Sequence, residues 1–315
     1  LQRLGAWLLD SLPAKTRSLV RDVSILGATV PVAFAAEVLG RPELANRQAW
    51  EAAAPVLRLA DDGTVAFGHE AYLRVAYDTL PFQRRRALHA AVADHLAGVR
   101  DASDAVRATH LEHAGRTAEA YPLAAAAGRT AKAAGALTEA VDLLGRAAAM
   151  ARVHDPAAVA GLLMDEAEAR GWLADHRAME QSLRSARRAT TDPLVIGRIC
   201  HLRADLALRH NQFAAAKRWA NRGMAATVGC SSAGELRCFL LLDLGAVRDL
   251  SDDHLGSVPI YREALERATA IGSQLMEGLA HIHIEMAYSA VMDPRAIEHG
   301  DAAVRILSEL GHHRY

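Results

Sequence analysis

The chain has few cysteines and almost no net charge. Its 315 residues include only three cysteines, Cys200, Cys230 and Cys238, and no C-x-x-C pair. Neither a disulfide framework nor a cysteine-rich zinc site is therefore supported. The formal net charge is -1, so no overall charge draws the molecule to nucleic acid or to an anionic membrane. This use of cysteine is typical of a reducing compartment and predicts a cytoplasmic protein.

Long apolar runs are absent as well. No stretch approaches the roughly 20 residues that span a bilayer, and the N-terminus lacks the charged and then apolar segments of a signal peptide. We therefore expect no membrane partner. The sequence opens LQRLGAWLLD, without a methionine and already in an amphipathic pattern. This start predicts a piece of a longer polypeptide, with part of the function lying upstream.

The motifs of common catalytic sites are also missing. No Walker motif G-x-x-x-x-G-K-[ST] occurs, and Gly128-Arg129-Thr130-Ala131-Lys132 resembles it only superficially, within a helical pattern. There is no nucleophile elbow and no triad order, although an acid-base pair assembled only in space would be invisible in the sequence. We expect that the chain is not an enzyme by itself, holds no cofactor, and does not hydrolyse ATP alone.

A long alanine-rich helical pattern fills most of the chain. From about Asp101 to Leu310, apolar residues recur at spacings of three and four, and brief breaks divide the pattern into helical hairpins. The expected breaks are Gly115, Gly135, Gly171, Asp192-Pro193, Gly229, Gly272 and Asp293-Pro294.

Small residues recur in pairs seven positions apart, and seven residues are two helical turns, so both members share one face. The steps between first members are 38, 38, 41 and 39 residues. The helical segment around each pair resembles the second helix of a tetratricopeptide repeat. Small residues also lie twelve positions earlier at Gly128, Ala204 and Gly245, whereas Glu166 and Ile284 break this rule. The pairs are Ala140/Ala147, Ala178/Ser185, Ala216/Gly223, Ser257/Ala264 and Ala296/Ala303.

We therefore predict a mainly α fold whose residues 100–315 form a right-handed superhelix of tetratricopeptide-like helical hairpins. Stacked pairs of this kind bury a continuous core and leave a concave groove for binding. The alternative is a generic alanine-rich helical bundle, against which the regular spacing argues. Trp172, Phe213, Trp219 and Tyr261 either fill helix contacts, as such residues usually do, or line the groove.

Residues 1–99 follow a different pattern. Helices are predicted on both sides of Ser11-Leu12-Pro13, in VPVAFAAEVLG up to Gly40, and in NRQAWEAAAPVLRL, which runs into a strand. VLRLADDGTVAFGH then alternates apolar residues around Asp61-Asp62-Gly63, a turn suited to positive φ. Helices followed by one β-hairpin predict a winged-helix domain over residues 1–99.

One run in this region carries a specific resemblance. DDGTVAFGHEAYLRVAYDTLPFQRRRALHAAVADHL combines a strand, F-x-H, a helix with R-x-x-Y, and an arginine-rich turn before L-H. It resembles the end of the winged-helix domain in bacterial STAND-type signalling ATPases, the signal-transduction ATPases with numerous domains. That group includes the large LuxR-type transcription activators of the maltose-regulator kind and the ATPases attached to nucleotide cyclases. The matching residues are Phe67, His69, Arg74, Tyr77, Arg84, Arg85, Arg86, Leu88 and His89.

The resemblance implies a role for the histidine. In this family and its relatives, a histidine at the strand-to-helix junction, followed by an acidic residue, contacts the phosphates of ADP bound in the neighbouring ATPase module. His69 and Glu70 are therefore expected to sense the nucleotide in a parent protein that uses ATP and ADP. An imidazole at a helix start, beside unpaired N–H groups, suits a diphosphate. The alternative is that His69 only fixes the hairpin to the next helix.

The winged helix also raises the question of DNA binding. Residues 1–99 hold eleven Lys and Arg against ten Asp and Glu, well short of the basic footprint of a nucleic-acid-binding domain. Direct DNA binding is therefore disfavoured. Arg84, Arg85 and Arg86 are expected instead at a solvated helix start and, with Arg74, in interdomain salt bridges.

The remaining histidines indicate no site. His110 and His113 have a spacing compatible with zinc, yet no third ligand is evident, so we expect no metal. His281 and His283 are two residues apart and point in different directions on a helix. His312-His313 lies at the end of the chain and carries no signal of a site.

These patterns predict the regulatory and sensor fragment of a multidomain signal-transduction ATPase, in transcriptional or cyclic-nucleotide signalling. The winged helix would couple nucleotide-dependent closure to the binding of an inducer or a protein by the repeats. The expected partners are an upstream P-loop ATPase module, the occupant of the repeat groove and a sister subunit. The alternative is a stand-alone tetratricopeptide adaptor for protein-protein interaction, whose reading frame would not continue upstream into a P-loop.

Overall fold

The computed structural model describes residues 2–311 and is mainly helical. Two compact units cover residues 1–154 and 155–315, each with its own helices. The predicted boundary between a winged-helix domain and the repeats, at residues 99 and 100, lies inside the first unit and stays a prediction. Over the described residues, every helix is too short or too polar to cross a membrane.

The first unit begins with short helices and strands. Pro13 precedes the second helix, where its fixed φ suits a helix start and its missing N–H costs no hydrogen bond. The elements are α1 (Gln2–Ser11), α2 (Ala14–Val23), β1 (Thr29–Pro31), α3 (Val32–Val38), a 3-10 turn (Pro42–Ala45), α4 (Gln48–Glu51), β2 (Leu57–Leu59), β3 (Thr64–Phe67) and α5 (Glu70–Asp78).

The three strands form one antiparallel sheet in the order β1-β3-β2. In the register, Val65 of the central strand β3 pairs with Val30 of β1. Both side chains are buried in one apolar core with Trp50. Gly63, in the turn between β2 and β3, has a φ of 78°, a conformation that glycine adopts without the steric cost of a Cβ atom.

The helix break at Pro13 and the hairpin around Gly63 are confirmed, and two details of this region differ from the prediction. α4 has only four residues, because the chain turns from Ala52 onward. The sequence predicts a helix over the residues of β1, since three residues are too few to show alternation, and the pairing of β1 with β3 is a non-local contact. The sheet therefore has three strands where the sequence predicts two.

Four further helices complete the described part of the first unit. Gly128 of α8 faces Leu144 of α9, where a Cβ atom would lie 2.8 Å from Leu144 Cγ. Ala140 and Ala147 are fully buried on the same helix as Leu144. The small residues predicted for a helix pair therefore do lie at its contact. The helices are α6 (Phe82–Ala97), α7 (Asp104–His113), α8 (Thr117–Ala133) and α9 (Leu137–His154).

Up to residue 311, the second unit consists of four successive helix pairs. In each pair the second helix packs on the first, and the first helix of each of the first three pairs also contacts the first helix of the next pair. This stacking is typical of repeat proteins and confirms the predicted helical hairpins. The helices are α10 (Ala158–Trp172), α11 (His176–Arg188), α12 (Pro193–Arg209), α13 (Phe213–Ala226), α14 (Gly234–Asp249), α15 (His254–Ile271), α16 (Gln274–Ala290) and α17 (Arg295–Glu309), with a 3-10 turn at Ser231–Ala233.

The small-residue register is confirmed where the pairs Ala216/Gly223 and Ser257/Ala264 are buried between helices. Gly245 of α14 lies against the ring of Tyr261. The register is less exact in α11, where Ala178 and Ser185 are only half-buried. There the buried contacts fall one position later on Met179 and Ala186, together with Ser182 and Leu183.

One predicted helix break is wrong. Gly115, Gly135 and Gly272 follow their helices with positive φ, as expected. Gly171, however, lies inside α10, where a Cβ atom would come within 3.2 Å of Met179 Sδ. Ala174 makes the turn instead, with a φ of 57°. Glycine at position 171 therefore serves close helix packing and not the end of the helix.

Candidate functional site

His69 ends the hairpin and caps α5. Its Nδ1 accepts a hydrogen bond from the backbone N–H of Ala71 at 3.0 Å, and its backbone is extended. Because Nδ1 accepts, the neutral ring carries its proton on Nε2. His69 and Glu70 are both exposed, at a helix N-terminus that favours anions. Arg74 lies one turn on, 3.7 Å from Glu70.

The capping hydrogen bond from Ala71 agrees with the simpler alternative, in which His69 only fixes the hairpin to the helix. It also leaves the Nε2–H edge of an exposed ring as a donor. Contact between that edge and a nucleotide stays a prediction, as does an interdomain role for Arg74.

The three consecutive arginines of α6 bind three different parts of the first unit. Arg84 donates two hydrogen bonds to the carboxylate of Asp22 in α2, at 3.1 and 2.7 Å, and Asp22 is 1% exposed. Arg85 donates to three carbonyl oxygens at the end of α5, at 3.0 to 3.3 Å. Arg86 Nε donates to the carbonyl oxygen of Ala114, just after α7, at 3.0 Å. These bonds fix α6 to α2, α5 and α7, and contacts to another module stay a prediction.

A histidine cluster lies where α6 meets α7. Nε2 of His89 is 3.1 Å from the hydroxyl of Tyr77, its Nδ1 is 2.9 Å from Nδ1 of His110, and its ring stacks on His113. Burial, followed by the charges of neighbouring side chains, lowers the pKa of His89 to about 3. Burial and His113 lower the pKa of His110 to about 4. His89 and His110 are therefore neutral at pH 7.

His89 is the third histidine that the spacing of His110 and His113 does not reveal, because it comes from another helix. Its two ring nitrogens are engaged in the hydrogen bonds just described. Within residues 2–311, no group of three His, Cys, Asp or Glu side chains is arranged to hold a metal ion.

The two histidines of AHIHIEM diverge as predicted. Nδ1 of His281 is 2.9 Å from Nδ1 of His299 in α17, whereas the ring of His283 lies 5.0 Å from that of Tyr261 in α15. His312 and His313 lie outside the described residues.

A groove of about 790 Å³ runs along the first helices of the second unit. Residues three and four apart on a helix share a face, so α12 presents a continuous polar stripe to it. The polar and aromatic side chains that line the groove are Glu168 and Trp172 of α10, His176 of α11, Arg198, His201, Asp205 and Arg209 of α12, Ser232, Glu235, Phe239 and Asp243 of α14 and the turn before it, and His283 of α16.

The groove contains a buried ion pair. Asp243 is 6% exposed, and its Oδ2 is 2.8 Å from Nδ1 of His201. Burial opposes a charge on His201, but the carboxylates of Asp243, Asp205 and Glu168 outweigh it and raise the pKa of His201. Burial likewise raises the pKa of Asp243, and the contact with His201 opposes that rise. A buried, hydrogen-bonded histidine–aspartate pair therefore lies in the wall of the groove, and the nearby carboxylates favour the charged imidazole. The two residues are 42 positions apart, so no sequence motif could have revealed them.

The aromatic residues of the repeats divide between the two predicted roles. Tyr261 is fully buried and fills the contact between α14 and α15. Trp219 lies beneath the guanidinium of Arg203, 4.6 Å from the ring centroid, and Phe213 is half-buried. Trp172 is 59% exposed and lines the groove.

Comparisons with known proteins show one distant structural likeness and no sequence relative. No protein-family model matches it, and no curated protein is similar enough to be a relative. Among solved structures it is similar to the crystal structure of a Signal Transduction ATPase with Numerous Domains (STAND) protein with a tetratricopeptide repeat sensor from Pyrococcus horikoshii. The TM-score is 0.46 and the identity is 11%, over 100% of this chain and 54% of that one. The chain thus spans about half the length of that protein.

Proposed function

We propose that the chain is the regulatory and sensor portion of a multidomain signalling ATPase of the cytoplasm. In this proposal the repeats bind an inducer or a partner, and the N-terminal region couples that binding to nucleotide-dependent closure. The observation that carries the proposal is the groove in the second unit, which is large enough for a ligand and has the His201–Asp243 pair in its wall. Pockets of this size with a few convergent polar groups are the usual binding sites of proteins.

The order of elements in residues 14–67 supports a winged helix. A helix, a strand, two further helices and a hairpin follow one another as α2, β1, α3, α4, β2 and β3. The first strand pairs with the last, which gives the sheet order β1-β3-β2. Both features are typical of a winged-helix domain.

Two observations support a role for this domain other than DNA binding. α4, the helix before the hairpin, has four residues and is therefore about 6 Å long, too short to follow a major groove. Arg84, Arg85 and Arg86 bind Asp22 and backbone carbonyl oxygens of the protein itself. The basic residues that would contact phosphates are thus already engaged.

The coupling would be a shift between open and closed forms. A ligand moves such an equilibrium only by the difference in its affinity for the two forms. His69 would favour the closed form by donating from Nε2 to a phosphate of ADP held in the adjoining ATPase module. Neither ATP binding nor hydrolysis is assigned to residues 1–315 themselves.

Substitutions of His69 in the full-length protein test the coupling and separate the two roles of this side chain. His69→Ala removes both the cap and the Nε2 donor, whereas His69→Asn keeps the cap, because asparagine is a preferred N-cap residue. If His69 senses the nucleotide, both variants release ADP faster than wild type and raise basal signalling output. ADP release by His69→Asn at the wild-type rate would leave His69 with the capping role alone.

The complete reading frame tests the proposal as a whole. We expect it to continue upstream into a P-loop and a Walker B segment. A frame without them would favour the stand-alone tetratricopeptide adaptor, in which the groove binds a partner without any nucleotide switch.

A further inference from the structure

The groove of the second unit has the size of a small-molecule site. Its volume of about 790 Å³ lies within the range of roughly 300 to 1,000 Å³ that is typical of ligand pockets. Apolar side chains from three first helices contribute to its walls, among them Leu202, Phe239 and Leu279. Such walls suit a compact organic molecule with an apolar body.

The fixed charges of the groove disfavour an anion. Four carboxylates and two arginines line it. Both arginines are already paired, Arg198 with Glu168 at 2.7 Å and Arg209 with Asp205 at 2.8 Å. His201 is held by Asp243. An anionic ligand would have to break one of these pairs, and the carboxylate of Glu235, which is in none of them, adds negative charge to the site.

The carboxylate of Asp243 offers a specific partner for a donor. Oδ2 accepts from His201, while Oδ1 has no hydrogen-bond partner among residues 2–311 and is not sealed from solvent. The side chain is almost completely buried in the groove wall, where a charge interacts more strongly than it does in water. A carboxylate oxygen that faces the groove without a partner is a strong acceptor for a charged donor such as an ammonium group.

Two aromatic rings stand in the same walls. Trp172 is 59% exposed on α10 and Phe239 lies on α14. The ring of Phe239 is 4.9 Å from that of His201, so it adjoins the ion pair. Aromatic faces attract cations, and tryptophan does so best.

From these features we propose that the groove binds a small organic cation, with its ammonium group at Asp243 and its apolar body against Trp172 and Phe239. The inference rests on the proposed function in one respect, since it names the chemical class of the inducer that the sensor would take.

Three probes with the same phenyl body and different charge test this inference: phenethylamine, phenethyl alcohol and hydrocinnamate. Their binding to the 315-residue chain is measured by isothermal titration calorimetry at neutral pH. Phenethylamine should bind at least about tenfold more tightly than the alcohol, a difference of about 1.4 kcal/mol, and hydrocinnamate should bind least. Equal binding of the three, tighter binding of the anion, or no binding of any of them overturns the proposal.

Asp243→Asn should remove the preference for the amine over the alcohol. The chain offers a matched control in Asp249, another buried aspartate of α14, which is 2.7 Å from Nδ1 of His254 and does not line the groove. Asp249→Asn should keep the preference. An equal loss in both variants would show that Asp243 acts through the fold, and the proposed contact would be wrong.

Trp172→Leu keeps the test decisive if Asp243→Asn folds poorly, because Trp172 is exposed and its loss leaves the core intact. Trp172→Leu should weaken the binding of phenethylamine several-fold more than the binding of phenethyl alcohol. Equal weakening of the two would overturn the role of the indole in binding the cation. These outcomes are independent of the ATPase proposal. A reading frame without a P-loop would refute the signalling ATPase and leave cation binding untouched, whereas loss of charge preference would refute only the ligand class.

Discussion

Replacing Gly245 by alanine tests the packing of the repeats more directly than any other single change. A methyl group at this position would overlap the ring of Tyr261. That ring is fully buried in the core of α14, α15 and α16, so it cannot swing aside. Overpacking of this kind costs about 1 to 3 kcal/mol. This cost is opposed by a stability gain of about 1 kcal/mol, because alanine stabilises a helix interior relative to glycine.

Gly161→Ala is the matched control. Gly161 lies in α10 of the same unit, and a Cβ atom there would meet nothing within 4 Å. It therefore receives the gain in helix propensity without the overlap. Because the propensity term is common to both variants, the difference between them isolates the overlap and should be about 1 to 3 kcal/mol.

Urea denaturation followed by circular dichroism measures this difference as a shift of the midpoint at unchanged slope. Gly161→Ala should be as stable as wild type or more stable, and Gly245→Ala clearly less stable than Gly161→Ala. Gly245→Ala should cost less in a Tyr261→Leu background than in wild type, because the smaller side chain leaves room for the methyl group. If Gly245→Ala stabilises the chain as much as Gly161→Ala does, then α14 and α15 do not pack at this register.

Two further predictions concern the core and the histidine cluster. Ala216→Phe introduces a ring at a fully buried contact of α13 and should lower the free energy of unfolding by about 1 to 3 kcal/mol, measured by urea titration; an unchanged midpoint would contradict the repeat register. The pKa of His89 is lowered in the folded state to about 3 from 6.5, so its neutral form contributes stability above pH 6.5 that is lost as pH falls toward 3. His89 therefore lowers the free energy of unfolding by about 1.4 kcal/mol for each pH unit below 6.5, or by about 2 kcal/mol in total at pH 5. The stability of His89→Gln should therefore fall less steeply with acidity than that of wild type, and parallel curves would contradict the burial of a neutral His89.

Much of the repeat architecture could be predicted because it depends on local spacing. Small residues seven apart mark helix faces that approach closely, and they located the contacts of α9, α13 and α15. The same rule was less exact in α11, where Met179 and Ala186 carry the contact. A neighbouring position on the same helical turn serves equally well there, and spacing alone cannot distinguish them.

The candidate site could not be predicted in the same way. The groove is lined by residues of five different helices, and His201 meets Asp243 only because α12 stacks on α14. The three residues of β1 give no periodic signal, and their strand form depends on pairing with β3. By contrast, the position of His69 at the junction of a strand and a helix could be predicted, because it depends on a single local motif.

The first turn of α6 has a mechanical consequence for residues 1–154. Arg85 holds the end of α5, Arg84 the buried carboxylate of Asp22, and Arg86 the end of α7. A tilt of α5 would pull on the same segment that secures α7, since the three side chains are consecutive. A displacement of α5, the helix that His69 caps, would thus be transmitted through the first turn of α6 to α7, the helix that precedes the α8–α9 pair.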